Sequence, residues 1–204
     1  MRVLAVLLAL ATLVQASHAV DRGVPWLNLT DRQLEELKAM GVPVAYFGGE
    51  PAIKIRFARV NAPEIFHPSS ERELELGMKA KEYVERRLEE AGGYVRCRAY
   101  GLGKYHRVIA DVYPDDSRVS LSDELVKKGL AEYRHYPPPA PLPAWFPREF
   151  KARVAKVVDG DTIWVYARNG STGGSGSRGG GGSSSPVPVV PVLPLPLRRV
   201  VGSA

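Results

Sequence analysis

Two carboxylates flank a glycine at Asp159-Gly160-Asp161, within the stretch RVAKVVDGDTIWVYA at 153–167. Carboxylates carried on a turn offer oxygen ligands to a hard cation such as Ca2+. Two arginines lie far upstream, Arg56 in IKIRFARV and Arg107 in KYHRVIADVY. A pair of guanidinium groups can fork onto phosphate oxygens and stabilise the charge that builds during displacement at phosphorus. Glu64, just after a proline in NAPE, can orient or deprotonate a water. Taken singly, each has an ordinary structural reading: a turn, two polar positions on alternating strands, a solvated loop residue. Together they are the parts that metal-assisted phosphodiester hydrolysis requires.

The surrounding pattern places these residues on strands and loops. Residues 27–41 (LNLTDRQLEELKAMG) read as a short helix, with Thr30 and Gln33 as a capping box, an apolar face of Leu34, Leu37 and Met40, and Gly41 as a stop. Residues 42–60 alternate as two strands around Gly48-Gly49, and 61–70 form a proline-punctuated loop. The longest helix starts after Ser69 or Ser70 and ends at Gly92-Gly93; Leu74, Met78, Lys81, Val84 and Leu88 fall near one face. Two further strands span 94–114 around a turn at 101–105, and a third helix is expected over 122–133. A proline-rich connector, 137–150, then leads to the Asp-Gly-Asp hairpin at 151–168. At about 3 Å per residue in a polyproline conformation, the connector reaches roughly 40 Å, enough to cross a small barrel.

The stretches KVVDGDTIWV, IRFARVNAPE, KYHRVIADVY and SDELVKKGLAEYRHY resemble the motifs of the staphylococcal nuclease (thermonuclease) family, over 42–136 and 151–168. The first resembles its metal-binding turn, and the second the strand and loop bearing one arginine, a metal ligand and the catalytic glutamate. The third resembles the hairpin bearing the other arginine, and the fourth a helix that packs under the barrel. The resemblance implies an α+β fold, a five-stranded OB-type Greek-key β-barrel with packed helices. The order differs from the family's, where the Asp-Gly-Asp hairpin comes first. The sequence therefore reads as a circular permutation, with the connector bridging the old ends. Exchange of hairpins between two chains, giving a swapped dimer, is the rival arrangement; the length of the connector favours completion within one chain, as a monomer.

Carried over residue by residue, the resemblance implies Asp161, Asn61 and the backbone carbonyl of Ala62 as Ca2+ ligands. It implies Glu64 as the group that activates water, and Arg56 and Arg107 as the groups that grip the scissile phosphate. Lys104 and Tyr105 correspond to contacts with a terminal phosphate, and His135 or Tyr136 to a residue that stacks on a base. Asn61 departs from the family, which usually has an aspartate there; an amide oxygen brings no negative charge, so metal affinity should fall. His106 stands where the family favours glycine, and histidine tolerates a positive φ better than most residues.

The chain has 204 residues and a net charge of +6, a balance that favours anionic partners. Cys97 is its single cysteine, which excludes an intramolecular disulfide. MRVLAVLLALATLVQASHA has the pattern of a secretory signal peptide, 1–19, with an uncleaved anchor as the alternative. Residues 169–185 read as a Gly/Ser linker and 186–204 as a proline-rich apolar tail. These readings lead to a secreted or cell-envelope, Ca2+-dependent endonuclease acting on single-stranded DNA and RNA and leaving 3′-phosphate ends. The alternative is a nucleic-acid-binding module of the same fold that has lost tight metal binding through Asn61.

Overall fold

The computed structural model describes residues 23–169. The expected signal peptide, the linker from residue 170 onward and the apolar tail lie outside the described residues. Five strands close into a barrel: β2 (Glu50–Phe57), β5 (Val108–Pro114), β4 (Tyr94–Leu102), β7 (Glu149–Asp159) and β8 (Thr162–Tyr166), with β8 pairing back onto β2. β1 (Val44–Phe47) adds to β2 as a hairpin across Gly48-Gly49, and β3 (Val60–Asn61) pairs with β6 (Glu132–Tyr133) beside the barrel. Three helices accompany the sheet: α1 (Asp31–Ala39), α2 (Glu71–Glu90) and α3 (Leu121–Lys127). The fold class expected from the resemblance is the one observed.

The alternation of each strand explains the core. Val95, Cys97 and Ala99 of β4, Val108, Ala110 and Val112 of β5, and Ile163 and Val165 of β8 are buried, while the residues between them face outward. Fully burying a side chain such as Ile163 stabilises the fold by about 1.5–3 kcal/mol. The C-terminal hairpin is integral to this barrel. β7 runs antiparallel to β4 through Tyr94↔Arg153 to Arg98↔Glu149, and β8 runs antiparallel to β2 through Ala52↔Tyr166 to Arg56↔Thr162.

The capping box at Thr30 and Gln33 forms as expected, and α1 buries Leu34 and Leu37. The chain before it straps onto the hairpin: Leu27 N–H donates to Lys151 O and Leu29 N–H to Ala167 O, both at 2.8 Å. Three expectations need correction. α2 turns Gly77, Ala80, Val84 and Leu88 inward, leaving Leu74 and Met78 at 37% and 41% exposure. Its inner face is small because chain passes close beneath it. α3 stops at Lys127, well short of 133, because Gly129 takes a positive φ of 68° and residues 132–133 pair with β3. The connector is also more than a spacer. Ala140 exchanges two backbone hydrogen bonds with Leu102, Leu142 and Phe146 are buried, and β7 begins at Glu149, two residues before the expected hairpin. Among the described residues no helix is long and apolar enough to cross a membrane.

Candidate active site

The register of β2 against β8 sets Arg56 opposite Thr162, which brings Arg56 beside Asp161 at the tip of the hairpin. Phe57 N–H donates to Asp161 O at 2.8 Å, fixing the turn on the end of β2. Arg56 Nη1 then meets Asp161 Oδ2 at 2.5 Å, with both side chains buried. The same carboxylate oxygen accepts the Ala62 N–H at 2.7 Å, while Thr162 Oγ1 donates to Oδ1 at 3.2 Å. Asp159 Oδ1 accepts the Asp161 N–H at 3.0 Å and closes the turn. Burial pushes the Asp161 carboxyl up, to about 7, against the pull of the Arg56 guanidinium; the charge of Asp159 adds to the rise.

Arg56 Nη2 donates to Tyr136 Oη at 3.1 Å and to Asn61 Oδ1 at 3.5 Å. Tyr136 Oη lies 3.2 Å from Asn61 Oδ1 and 3.3 Å from Val60 O, so its one proton serves either acceptor. Asn61, Ala62, Asp161, Arg56 and Tyr136 thus form one connected network at the barrel edge. Tyr136, which with His135 is one of the two residues the resemblance implies for stacking on a base, also holds Arg56 through its hydroxyl.

Close packing under α2 positions the turn. A Cβ added to Gly160 would lie 2.7 Å from Ala80 Cβ and 2.8 Å from Ala62 Cβ. A Cβ added to Gly77 would lie 2.5 Å from Ile65 Cγ2 and 2.8 Å from Pro63 O. The small face of α2 therefore seats both the Asp161 turn and the loop that carries Glu64. Sequence reading missed Gly77, Ala80 and Thr162. The recurrence of Gly77, Ala80, Val84 and Leu88 at helical spacing was the available signal, and the larger Leu74 and Met78 masked it.

Arg107 follows a short turn, Lys104–His106, in which Tyr105 and His106 take φ values of 61° and 55°. The positive φ expected for a residue standing where the family favours glycine is therefore present at His106. Its ring packs on Gly41, where an added Cβ would come within 3.1 Å of the imidazole. Arg107 Nε donates to Lys104 O at 3.4 Å, and its guanidinium stands 5.6 Å over the Tyr105 ring. Among the described residues Arg107 has no ion-pair partner. Burial first, and then the positive charge of Arg56, pull its pKa below the usual arginine value, while Asp161 and Asp159 oppose that shift. The two guanidinium groups, 51 residues apart in the sequence, therefore sit in one electrostatic neighbourhood and repel each other.

The remaining expected residues lie nearby or at the surface. Glu64 is exposed and its Oε1 accepts the N–H groups of Ile65 and Phe66, both at 3.0 Å, so its carboxylate is folded onto its own loop. Glu73 holds that loop from α2, accepting from Ser69 N–H at 2.6 Å. Lys104 and Tyr105 are exposed, with Lys104 Nζ 4.8 Å from the Tyr105 ring centre. His135 is exposed beyond β6. The Asp161 and Asp159 carboxylates and the Asn61 amide offer oxygen ligands, although Asp161 Oδ2 and Asn61 Oδ1 already accept from the Arg56 guanidinium, and Asp161 Oδ2 from the Ala62 N–H. That set suits a hard cation rather than a metal that seeks thiolate or imidazole. Among the described residues no three Asp, Glu, His or Cys side chains gather as a cage. A cation held here depends on amide and backbone oxygens as well as carboxylates.

No curated protein matches the chain. A family model described as staphylococcal nuclease homologue matches residues 54–159, just over half of the 204-residue sequence, and includes Arg56, Asn61, Glu64 and Arg107. With that match, the barrel and its helices, the chain belongs to the staphylococcal nuclease homologue family.

Proposed function

We propose that this protein is an exported, Ca2+-dependent endonuclease that hydrolyses single-stranded DNA and RNA to products with 3′-phosphate ends. Family membership supports nuclease or nucleic-acid-binding activity. The single observation that carries the finer reading is the pair Arg56 and Arg107, whose charges repel across a site where Arg107 has no carboxylate of its own among the described residues. An anionic phosphate placed between them relieves that repulsion, and charge developing on its oxygens strengthens both interactions.

Asp161, Asn61 and the Ala62 carbonyl would hold the cation, and Asp159 would add charge. When bound, Ca2+ neutralises phosphate charge and orients the diester. Glu64 releases the Ile65 and Phe66 amides and takes a proton from the attacking water. The water oxygen bonds to phosphorus, the bond from phosphorus to the 5′ oxygen breaks, and that oxygen takes a proton from solvent water to leave as the 5′ hydroxyl. Arg107, with terminal nitrogens that carry no hydrogen bond among the described residues, follows the equatorial oxygens into the transition state. Arg56 is pre-set by Asp161 and Tyr136. Pre-setting lowers the reorganisation needed when the substrate arrives.

The connectivity supports a circularly permuted barrel, because the hairpin that supplies Asp161 comes last in the chain yet lies between β4 and β2. The apolar segment 1–19 supports export to the envelope or beyond. A second reading, a binding module without cleavage, is favoured by Asn61 and by the inward fold of Glu64 onto its loop. The deciding experiment incubates labelled single-stranded DNA and RNA with the full chain in Ca2+ or chelator, beside Glu64→Gln. Calcium-dependent cleavage that Glu64→Gln abolishes supports the nuclease. Binding with no cleavage in millimolar Ca2+ replaces it with the binding module.

A further inference from the structure

The outer face of β4 and β5 carries a second concentration of cationic and aromatic groups. A cleft of about 420 Å3 opens there, with Arg96, Arg98, Tyr113, Arg118 and Glu149 in its lining. Three arginines against one glutamate leave it two positive charges in excess. Arg98 is tied to Glu149 at 3.0 Å. Arg96 lies over Tyr113, its guanidinium carbon 4.8 Å from the ring centre. Among the described residues neither Arg96 nor Arg118 pairs with a carboxylate. A guanidinium held over an aromatic ring without a carboxylate partner still offers the planar fork that matches phosphate oxygens.

The position of this cleft relative to Arg107 gives it meaning. Ile109, Asp111 and Tyr113 alternate along β5 with the core residues Val108, Ala110 and Val112, Asp111 being buried too, and Arg107 continues that alternation in extended backbone just before the strand. Six steps of extended chain separate Arg107 from Tyr113, roughly 20 Å. Asp111, between them, does not bar an anion: Arg59 pairs with its Oδ1 at 3.0 Å and Tyr100 donates to its Oδ2 at 2.5 Å. We propose that the cleft of Arg96, Arg98, Tyr113 and Arg118 is a second phosphate-binding subsite, which holds the single strand whose scissile phosphate lies at Arg107. This deepens the nucleic-acid reading and rests on it, but does not require cleavage.

Strand binding is measured in chelator, by fluorescence anisotropy, with oligothymidylates of three and twenty nucleotides across a salt series. A stacked trinucleotide covers about 10 Å and does not reach the cleft. For the 20-mer, Arg96→Gln/Arg118→Gln weakens binding roughly tenfold and lowers the salt slope by about 1.4, as two lost phosphate contacts require. Trinucleotide binding stays unchanged. Lys79→Gln/Arg86→Gln, removing the same charge from the exposed side of α2, has a much smaller effect. An unchanged 20-mer affinity and slope overturns the proposal. So does an equal loss for both lengths or in the control variant, and so does a wild-type chain that binds no strand. Arginine-dependent capture of phosphatidylserine vesicles, with strand binding intact, reassigns the cleft to a membrane surface. If strands bind through these arginines but are never cut, the nuclease reading fails and the subsite stands.

Discussion

Arg56 and Asp161 stand 105 residues apart in the chain and meet in a buried ion pair of 2.5 Å. The contact joins β2 to the last hairpin of the barrel and is the point at which fold and site become one object. Removing Arg56 leaves the Asp161 carboxyl buried with only the Ala62 N–H and the Thr162 hydroxyl, and losing one partner of a buried pair typically costs about 3–5 kcal/mol. Arg56→Ala should lose that much in urea denaturation without metal. The double variant Arg56→Ala/Asp161→Ala should lose clearly less than the two single losses added together.

Gly160 is predicted to tolerate no side chain. Its missing Cβ is the space occupied by Ala80 and Ala62. Gly160→Ala should cost about 1–3 kcal/mol through overpacking. The second variant, Gly160→Ala/Ala80→Gly, should recover part of the loss, because it removes one of the two clashing methyl groups. A melting series on the three proteins checks this.

Asn61 contributes an oxygen without a charge. Because Ca2+ affinity rises with the number of charged ligands, Asn61→Asp should lower the half-saturating Ca2+ concentration by about tenfold. The new carboxylate would face Arg56 Nη2, already 3.5 Å from the amide oxygen, so the change adds an attractive contact. Calcium titration followed by thermal stabilisation gives the answer without any assay of cleavage.

Cys97 is fully buried on the inner side of β4, and burial pushes its thiol well above the ordinary range. The folded protein should therefore resist a thiol-specific disulfide reagent, with complete labelling only after unfolding. Rapid labelling in native buffer would place β4 differently.

Much of the fold and of the site was legible because the informative signals are local. The Thr30–Gln33 box, the Gly48-Gly49 turn and the alternation of β4 and β5 depend on neighbours in sequence, and each formed as read. Arg56 and Asp161 were singled out by motif, and strand register then brought them together. What escaped depends on contacts distant in sequence. The inner face of α2 follows the space that the Asp161 turn leaves, so Gly77 and Ala80 displaced the larger Leu74 and Met78. The end of α3 was set by Gly129 and by pairing of β6 with β3. The partners of the Tyr136 hydroxyl could not be read before β3 and β2 were placed beside it.

The most direct test of the account follows cleavage of a labelled single-stranded oligonucleotide by the full chain and by Arg107→Lys. The substitution keeps the charge and removes the planar fork. The account predicts calcium-dependent cleavage by the wild type, at least a hundredfold slower in Arg107→Lys, with strand affinity in chelator nearly unchanged. Equal cleavage by both proteins, or none by the wild type at saturating Ca2+, would contradict it.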